Sequence, residues 1–342
     1  MSGGTVRDLG EFGLIERLRE VLPDAVRVSP DLIAGIGDDT AVWRPSPGED
    51  LLITTDAMIE GIHFELSWTD WYSLGWKSLA VNISDIASMG GAPKVAVITL
   101  GLQGDLPVSG LLDCYRGIGD IASAYGVVVA GGDIVSSPAG MMLSVTVFGE
   151  TIARRYLARS GAQAGDVIAV SGSLGAAAAG LRLLLLTESD TRRDATTAPR
   201  LVGALHRPVP RVALGQKLLA LGATAAMDLS DGLLGDLPKI LQASGVAAEI
   251  WERDIPIAAA VHALFPDEWL ELGLRGGEDY ELLFTAPPAA LNAITGAAVG
   301  LGQTVTAIGS TLERREDEPA LVMMSTGGER VPIAAGAFDH FG

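Results

Sequence analysis

From Trp76 to Gly90 the positions Trp76, Leu79, Ala80, Ile83, Ile86, Ala87 and Gly90 recur at 3.6-residue spacing, which predicts an amphipathic helix over Ser73–Met89. Beside that stripe Ser78, Asn82 and Asp85 line up at i, i+4 and i+7, and the helix is expected to stop at Gly90-Gly91, ahead of Pro93. A shorter amphipathic helix is predicted for Phe12–Leu22, ended by Pro23. Alternating or continuous apolar runs predict strands at Leu51–Thr55, Lys94–Leu102, Val127–Ala130 and Met141–Gly149, with a helix over Gly110–Tyr125. Asp56 then falls at the C-terminal end of the first of these strands. After a loop-like stretch, Thr151–Gly165, that holds Arg154, Arg155 and Arg159, the alternation restarts. It reads as a strand at Asp166–Ser171, a helix at Leu174–Leu186, a polar surface excursion at Glu188–Ala198, a strand ending at Asp228, a helix from Ser230 to Ala243 and a strand at Asp279–Thr285. The pattern predicts an α/β (α+β layered) protein of two domains, divided within about ten residues of position 150.

Composition narrows the class. A chain of 342 residues exceeds one typical domain, and 48% hydrophobic residues exclude general disorder. Acidic residues outnumber basic ones 42 to 24, for a formal charge of −18, so nucleic acid and anionic membrane surfaces are poor partners. The single cysteine, Cys114, excludes an internal disulfide and a zinc ribbon, and four histidines disfavour a His-rich metal centre. No secretory signal opens the chain, and the longest uncharged run, Thr285–Leu312, is broken by Pro287, Pro288 and four glycines. These features predict a cytoplasmic protein.

The acidic residues carry the chemistry. Asp38-Asp39 follows Gly37, Asp56 follows Thr54-Thr55, Asp133 follows Gly131-Gly132, and Asp228 and Asp231 bracket Ser230. Short carboxylates with hydroxyls beside them suit hard cations that take oxygen ligands, Mg²⁺ above all, which would join an acidic protein to an anionic nucleotide. Each could equally be a turn or helix-cap residue; Asp85, beside an apolar stripe, is the least easily explained that way. P-loop, GxGxxG and protein-kinase signatures are missing, and Ser171-Gly172-Ser173-Leu174-Gly175 reads as a strand-to-helix turn rather than a hydrolase elbow.

Taken together these segments resemble the thiamine-monophosphate kinase family, of the superfamily that includes aminoimidazole ribonucleotide synthetase. The similarity rests on Gly10-Glu11-Phe12, Gly35-Ile36-Gly37-Asp38-Asp39, Thr54-Thr55-Asp56, Glu60-Gly61-Ile62-His63-Phe64, Lys77 to Asp85 and Gly131-Gly132-Asp133. It continues through Arg159-Ser160-Gly161-Ala162, Arg207-Pro208-Val209-Pro210-Arg211, Asp228 to Gly232, Gly276 to Leu282 and Phe338-Asp339-His340-Phe341.

The resemblance implies ATP- and Mg²⁺-dependent phosphorylation of thiamine monophosphate to thiamine diphosphate. It implies an N-terminal domain, residues 1–150, whose mixed sheet carries helices on one face and pairs across a homodimer. A C-terminal α/β sandwich, residues 151–342, would complete the ATP and substrate sites. Metal ligands would be Asp39, Thr54, Thr55, Asp56, Asp85, Asp133, Asp228 and Asp231, with Asp56, Asp133 and Asp231 central to catalysis. Nucleotide contacts would fall on Gly132, Asp133, Arg159, Ser230 and Tyr115, and substrate contacts on His63, Glu278 and Phe338. Asp56 is expected to face a cleft shared with Asp85 and Asp133. Two positions depart from the family: Ile134-Val135 replaces a pair of hydroxyl residues, and Phe338 offers a ring without a hydrogen-bonding group. Selenophosphate synthetase is disfavoured by the lack of an N-terminal reactive cysteine, and a hydrogenase-maturation protein by the lack of a C-terminal one. A non-enzymatic, acidic cation-binding protein is the rival from another class.

Overall fold

Thr5 starts the first helix earlier than the apolar pattern predicts. Its hydroxyl and the Asp8 carboxylate cap each other's backbone N–H groups, and α1 runs Val6–Val21, kinked at Gly10 (φ 72°). The computed structural model describes residues 4–37 and 39–333; Asp38, Phe338, Asp339, His340 and Phe341 lie outside them. The chain forms two compact units, Met1–Ile86 with Gly91–Arg154, and Ala87–Gly90 with Arg155–Gly342.

In the first unit α1 is followed by α2 (Asp24–Arg27), a two-stranded ribbon of β1 (Leu32–Ala34) and β2 (Val42–Trp43), then β3 (Leu51–Ile59), α3 (Trp71–Ser88), β4 (Ala92–Leu102), α4 (Val108–Tyr125), β5 (Val128–Ser136) and β6 (Met142–Glu150). The main sheet is ordered β3-β6-β4-β5; β4 and β5 are parallel and the other pairs antiparallel. Two strands run beyond their predicted ends. β3 stays paired with β6 as far as Ile59 opposite Met142, so Asp56 lies inside the strand, not at its end. β5 pairs with β4 as far as Ser136, which takes Gly131, Gly132 and Asp133 into the sheet. Gly132 is needed there because a Cβ would run into the Ile98 carbonyl.

α3 is not amphipathic in its surroundings. Lys77, Ser78, Asn82 and Ser84 are buried along with the apolar stripe. The cause is close helix approach: a Cβ at Gly75 would strike the Cys114 carbonyl, and one at Gly117 the Tyr72 carbonyl. The sheet's other face is open, with Ile53 63% and Leu51 47% exposed on β3.

The second unit contains β7 (Val167–Ser171), α5 (Ala176–Leu185), α6 (Ala198–His206), α7 (Val212–Leu221), β8 (Ala225–Asp228), α8 (Leu233–Ser244), β9 (Val246–Trp251), α9 (Ala259–Leu264), α10 (Trp269–Arg275), β10 (Leu282–Ala286), α11 (Pro288–Gly300), β11 (Val305–Glu313), β12 (Leu321–Met324) and β13 (Arg330–Pro332). Its seven-stranded sheet is ordered β13-β12-β9-β11-β7-β10-β8. Apolar clusters fill it on both sides: one includes Ile168, Val170, Leu237, Ile240 and Ile250, the other Ala169, Leu214, Leu218, Phe284 and Ile294. Alternation along β7 sends Ile168 and Val170 to one cluster and Ala169 to the other. The uncharged run Thr285–Leu312 is thus the end of β10, α11 and most of β11, and no helix among the described residues is long and apolar enough to cross a membrane.

Candidate functional site

Strand alternation aims Thr54 and Asp56 of β3 at the face covered by α3. The Thr54 hydroxyl donates to Asp85 Oδ2 at 2.5 Å, and Asp56 hydrogen-bonds the same Asp85 carboxyl. Although Asp56 keeps an exposed flank, its carboxyl is pushed up to about 6, first by burial, then by the charge of Asp85 and the hydrogen bond between them. Two carboxyls and a hydroxyl held this close present the oxygen-only donor set that Mg²⁺ prefers.

Within this unit Asp133 does not join them. In the register Asp56 lies in the row Asp56–Val145–Ile98–Gly132, whereas Asp133 belongs to the next row, Ala57–Ser144–Thr99–Asp133. Alternation therefore sends Asp133 to the opposite face, and three strand spacings separate the two by about 14 Å. The cleft expected to unite Asp56, Asp85 and Asp133 is reduced to the first pair. Asp133 instead accepts the Ile134 N–H on its own Oδ1 at 2.9 Å. Thr55 faces away from Thr54 and hydrogen-bonds Thr146 at 2.9 Å, and Asp39 is exposed in a turn. Among the described residues no three His, Cys, Asp or Glu side chains converge to hold an ion.

In the second unit, β8 ends at Asp228, which is buried, and the chain turns through Leu229-Ser230-Asp231 into α8. Gly232 offers no capping side chain, and Asp236, fully buried in the first turn, folds back to accept the Ser230 and Asp231 N–H groups, both at 2.9 Å. Lys239 bridges the ends of this arrangement, donating to Asp231 Oδ2 at 2.6 Å and to Asp236 Oδ1 at 2.8 Å. Burial raises the Asp236 carboxyl, and the Lys239 ammonium opposes that shift. Asp231 is therefore an ion-paired carboxylate, a property its place in the sequence does not reveal.

Comparison with known proteins places this geometry. Residues 37–151 match the family model for the AIR synthase related protein N-terminal domain, and 163–321 the one for its C-terminal domain. The thiamine-monophosphate kinase of Bacillus subtilis (strain 168) is 33% identical over 97% of this chain and 100% of its own length. The chain belongs to the thiamine-monophosphate kinase family, within the AIR synthase related proteins.

Solved members of the thiamine-monophosphate kinase family have the same fold. The Stenotrophomonas maltophilia K279a enzyme superposes with a TM-score of 0.80 at 36% identity, over 94% of this chain and 98% of that one. AaThiL complexed with AMPPCP and TMP superposes with a TM-score of 0.73 at 34% identity, over 95% and 96% of the two chains. Escherichia coli HypE, a hydrogenase maturation protein, shares the fold alone, at 19% identity.

The remaining positions singled out by the family resemblance are dispersed. Tyr115 is buried in α4 at 8% exposure, its phenol raised by burial first and by neighbouring Cys114, so it offers a nucleotide almost no surface. Arg159 is exposed, and its carbonyl accepts the Ser244 hydroxyl at 3.0 Å; Arg154 and Arg155 are instead turned to the Gly48 and Leu219 carbonyls. His63 is half-buried in the turn after β3, where Nδ1 accepts the Ile59 N–H at 3.1 Å and leaves the ring proton on Nε2. Glu278 sits in a left-handed conformation, φ 68°. Ile134 and Val135 lie within β5. Ser171, in the elbow-like sequence, donates to Glu281 at 2.5 Å and accepts the Leu282 N–H, so it is a buried strand-end residue. Glu281 also pairs with both arms of Arg211, which links two family motifs through their side chains. Asp236 and Lys239, three residues apart on the helix predicted from Ser230, are not among the predicted site residues, and Asp279 enters there only as part of the Gly276 to Leu282 motif.

Proposed function

We propose that this chain transfers the γ-phosphoryl group of ATP to thiamine monophosphate, with Mg²⁺, to form thiamine diphosphate. The observation that carries the chemistry is Asp56 held against Asp85 with Thr54 beside them: two carboxyls in contact, that of Asp56 pushed up to about 6, where a cation would satisfy both. A phosphoryl transfer asks for in-line positioning and charge neutralisation rather than covalent chemistry. Mg²⁺ held by Asp56, Asp85 and the Thr54 hydroxyl would supply that neutralisation on the phosphoryl oxygens.

The remaining roles follow the family motifs residue by residue. Asp39, Thr55, Asp133, Asp228 and Asp231 would serve further ions. In the second unit Lys239 donates to Asp231 Oδ2 and leaves Oδ1 outside that ion pair. Asp133 with Gly132, Arg159 and Ser230 would contact the nucleotide. His63, with Nε2–H as donor, would hold the acceptor's phosphate or hydroxyl, and Glu278 its cationic heterocycle, with Phe338 stacked against it. We place the enzyme in the cytoplasm as a homodimer, with neither nucleic acid nor membrane as a partner. The open face of the β3-β6-β4-β5 sheet, with Ile53 and Leu51 exposed, supports the dimer.

Incubation with Mg-ATP and thiamine monophosphate, followed by chromatography, should yield thiamine diphosphate and ADP in equal amounts. Metal binding without ADP release would overturn the reading and favour a cation-binding protein.

A further inference from the structure

Two residues with β-carbons, Glu278 (φ 68°) and Tyr280 (φ 49°), hold left-handed backbone conformations, and between them sits Asp279. L-residues adopt that region reluctantly, and such strain persists only where the surroundings over-determine it. The constraints are visible. Asp279 reaches back 104 residues to accept the Gly175 N–H at 2.8 Å, and it accepts the Ala177 N–H at 3.3 Å. These belong to the first turn of α5, whose N-cap, Gly175, has no side chain to satisfy them. On either side the loop is stitched to the Asp228–Gly232 turn: Glu278 N–H donates to the Ser230 carbonyl at 2.8 Å, and Tyr280 N–H to the Leu229 carbonyl at 2.9 Å. Gly277 lies so close to the Ser230 carbonyl that a Cβ would not fit.

We propose that Asp279 is a positioning residue for the acceptor subsite: by clamping the strained Gly276–Tyr280 loop to the N-terminus of α5, it fixes where Glu278 presents its carboxylate. This rests on the reading of the chain as a thiamine-monophosphate kinase with Glu278 at the acceptor. The cap cannot come from the N-cap position itself, because Gly175 (φ 81°) has the Gly273 backbone crowding the place of a Cβ, so it is drawn from elsewhere in the fold. Drawing it from this loop couples the helix to the strained residue. The cost of enclosing the group appears in its acidity: burial pushes the Asp279 carboxyl up to about 7, the α5 N–H groups oppose the rise, and the Glu281 charge adds to it. Glu281 is held by Arg211 and Ser171, so it is not itself the clamp.

The test is a double-mutant cycle of Asp279→Asn and Glu278→Gln in the full-length enzyme. Asp279→Asn should raise KM for thiamine monophosphate at least about tenfold while KM for ATP and kcat stay within about threefold. In the Glu278→Gln background the same change should add less than about twofold, because the clamp acts through Glu278. Hydrogen exchange should quicken at the first-turn amides of α5 and across 276–281 in Asp279→Asn. An equal effect in both backgrounds, or faster exchange with KM for thiamine monophosphate unchanged, overturns the proposal. Asp279→Ser, which keeps one acceptor oxygen, must give the same split if Asp279→Asn does not fold, and its failure to do so overturns the proposal as well. Wild-type turnover of thiamine monophosphate checks the acceptor reading separately from either variant.

Discussion

Replacing Asp56 by Asn should make the metal-free protein more stable and the enzyme nearly inactive. In the folded chain the Asp56 carboxyl titrates at about 6 rather than 3.8, raised first by burial and then by Asp85. Between those values the folded state keeps a proton that the unfolded state has lost, so stability falls as pH rises through the window and the full penalty is present above it. Carried over in full, that rise would cost about 3 kcal/mol; the exposed flank of Asp56 lets water screen the pair, which leaves about half, ~1.5 kcal/mol. Asn has the shape of Asp without its charge. With EDTA at pH 7.5, Asp56→Asn should therefore melt about 3–6 °C above wild type, a gain that shrinks toward zero below pH ~4. With Mg²⁺ and both substrates its kcat should fall at least about a hundredfold, equivalent to ~2.7 kcal/mol of transition-state stabilisation. Melting curves at several pH values and an ADP-release assay read both effects. A pH-independent difference in melting would refute the carboxyl pair, and near-normal turnover at limiting Mg²⁺ would refute its role in holding the metal.

Ile53→Asp, on the open sheet face, should leave the fold intact and convert a dimer of about 70 kDa to monomer, read by light scattering; a wild-type monomer at micromolar concentration would count against the pairing. Thiamine should be a far poorer acceptor than thiamine monophosphate, because it lacks the phosphate that positions it, and comparable kcat/KM values would contradict that reading. In the same assay Phe338→Ala should raise KM for thiamine monophosphate more than for ATP. Lys239→Ala should strand the buried Asp236 carboxyl and cost about 2 kcal/mol in urea denaturation, less than the ~3–5 kcal/mol of a fully buried pair because Lys239 is partly exposed. An unchanged midpoint would show that water replaces the ammonium.

Local chemistry made much of this protein legible in one dimension. Proline and glycine stops bounded α3, apolar alternation marked the β4 and β6 strands, and the order of short motifs identified the family. Asp85 stood out because a carboxylate beside an apolar helix stripe has no ordinary explanation, and it is the residue that Thr54 and Asp56 meet. What the chain alone withheld were the outcomes of pairing between distant segments. Whether Asp56 ends a strand or lies inside one depends on how far β6 follows β3, and the row that sends Asp133 to the other face depends on three strands at once. The close approach of α4 to α3, which Gly75 and Gly117 admit, has no periodic signature either. Asp279 capping α5 from 104 residues away is of the same kind. Periodicity, capping and turn propensity act over a few residues and are written in sequence; register, helix approach and long-range hydrogen bonds are set by which surfaces exclude water together, and only the folded chain brings those surfaces into contact.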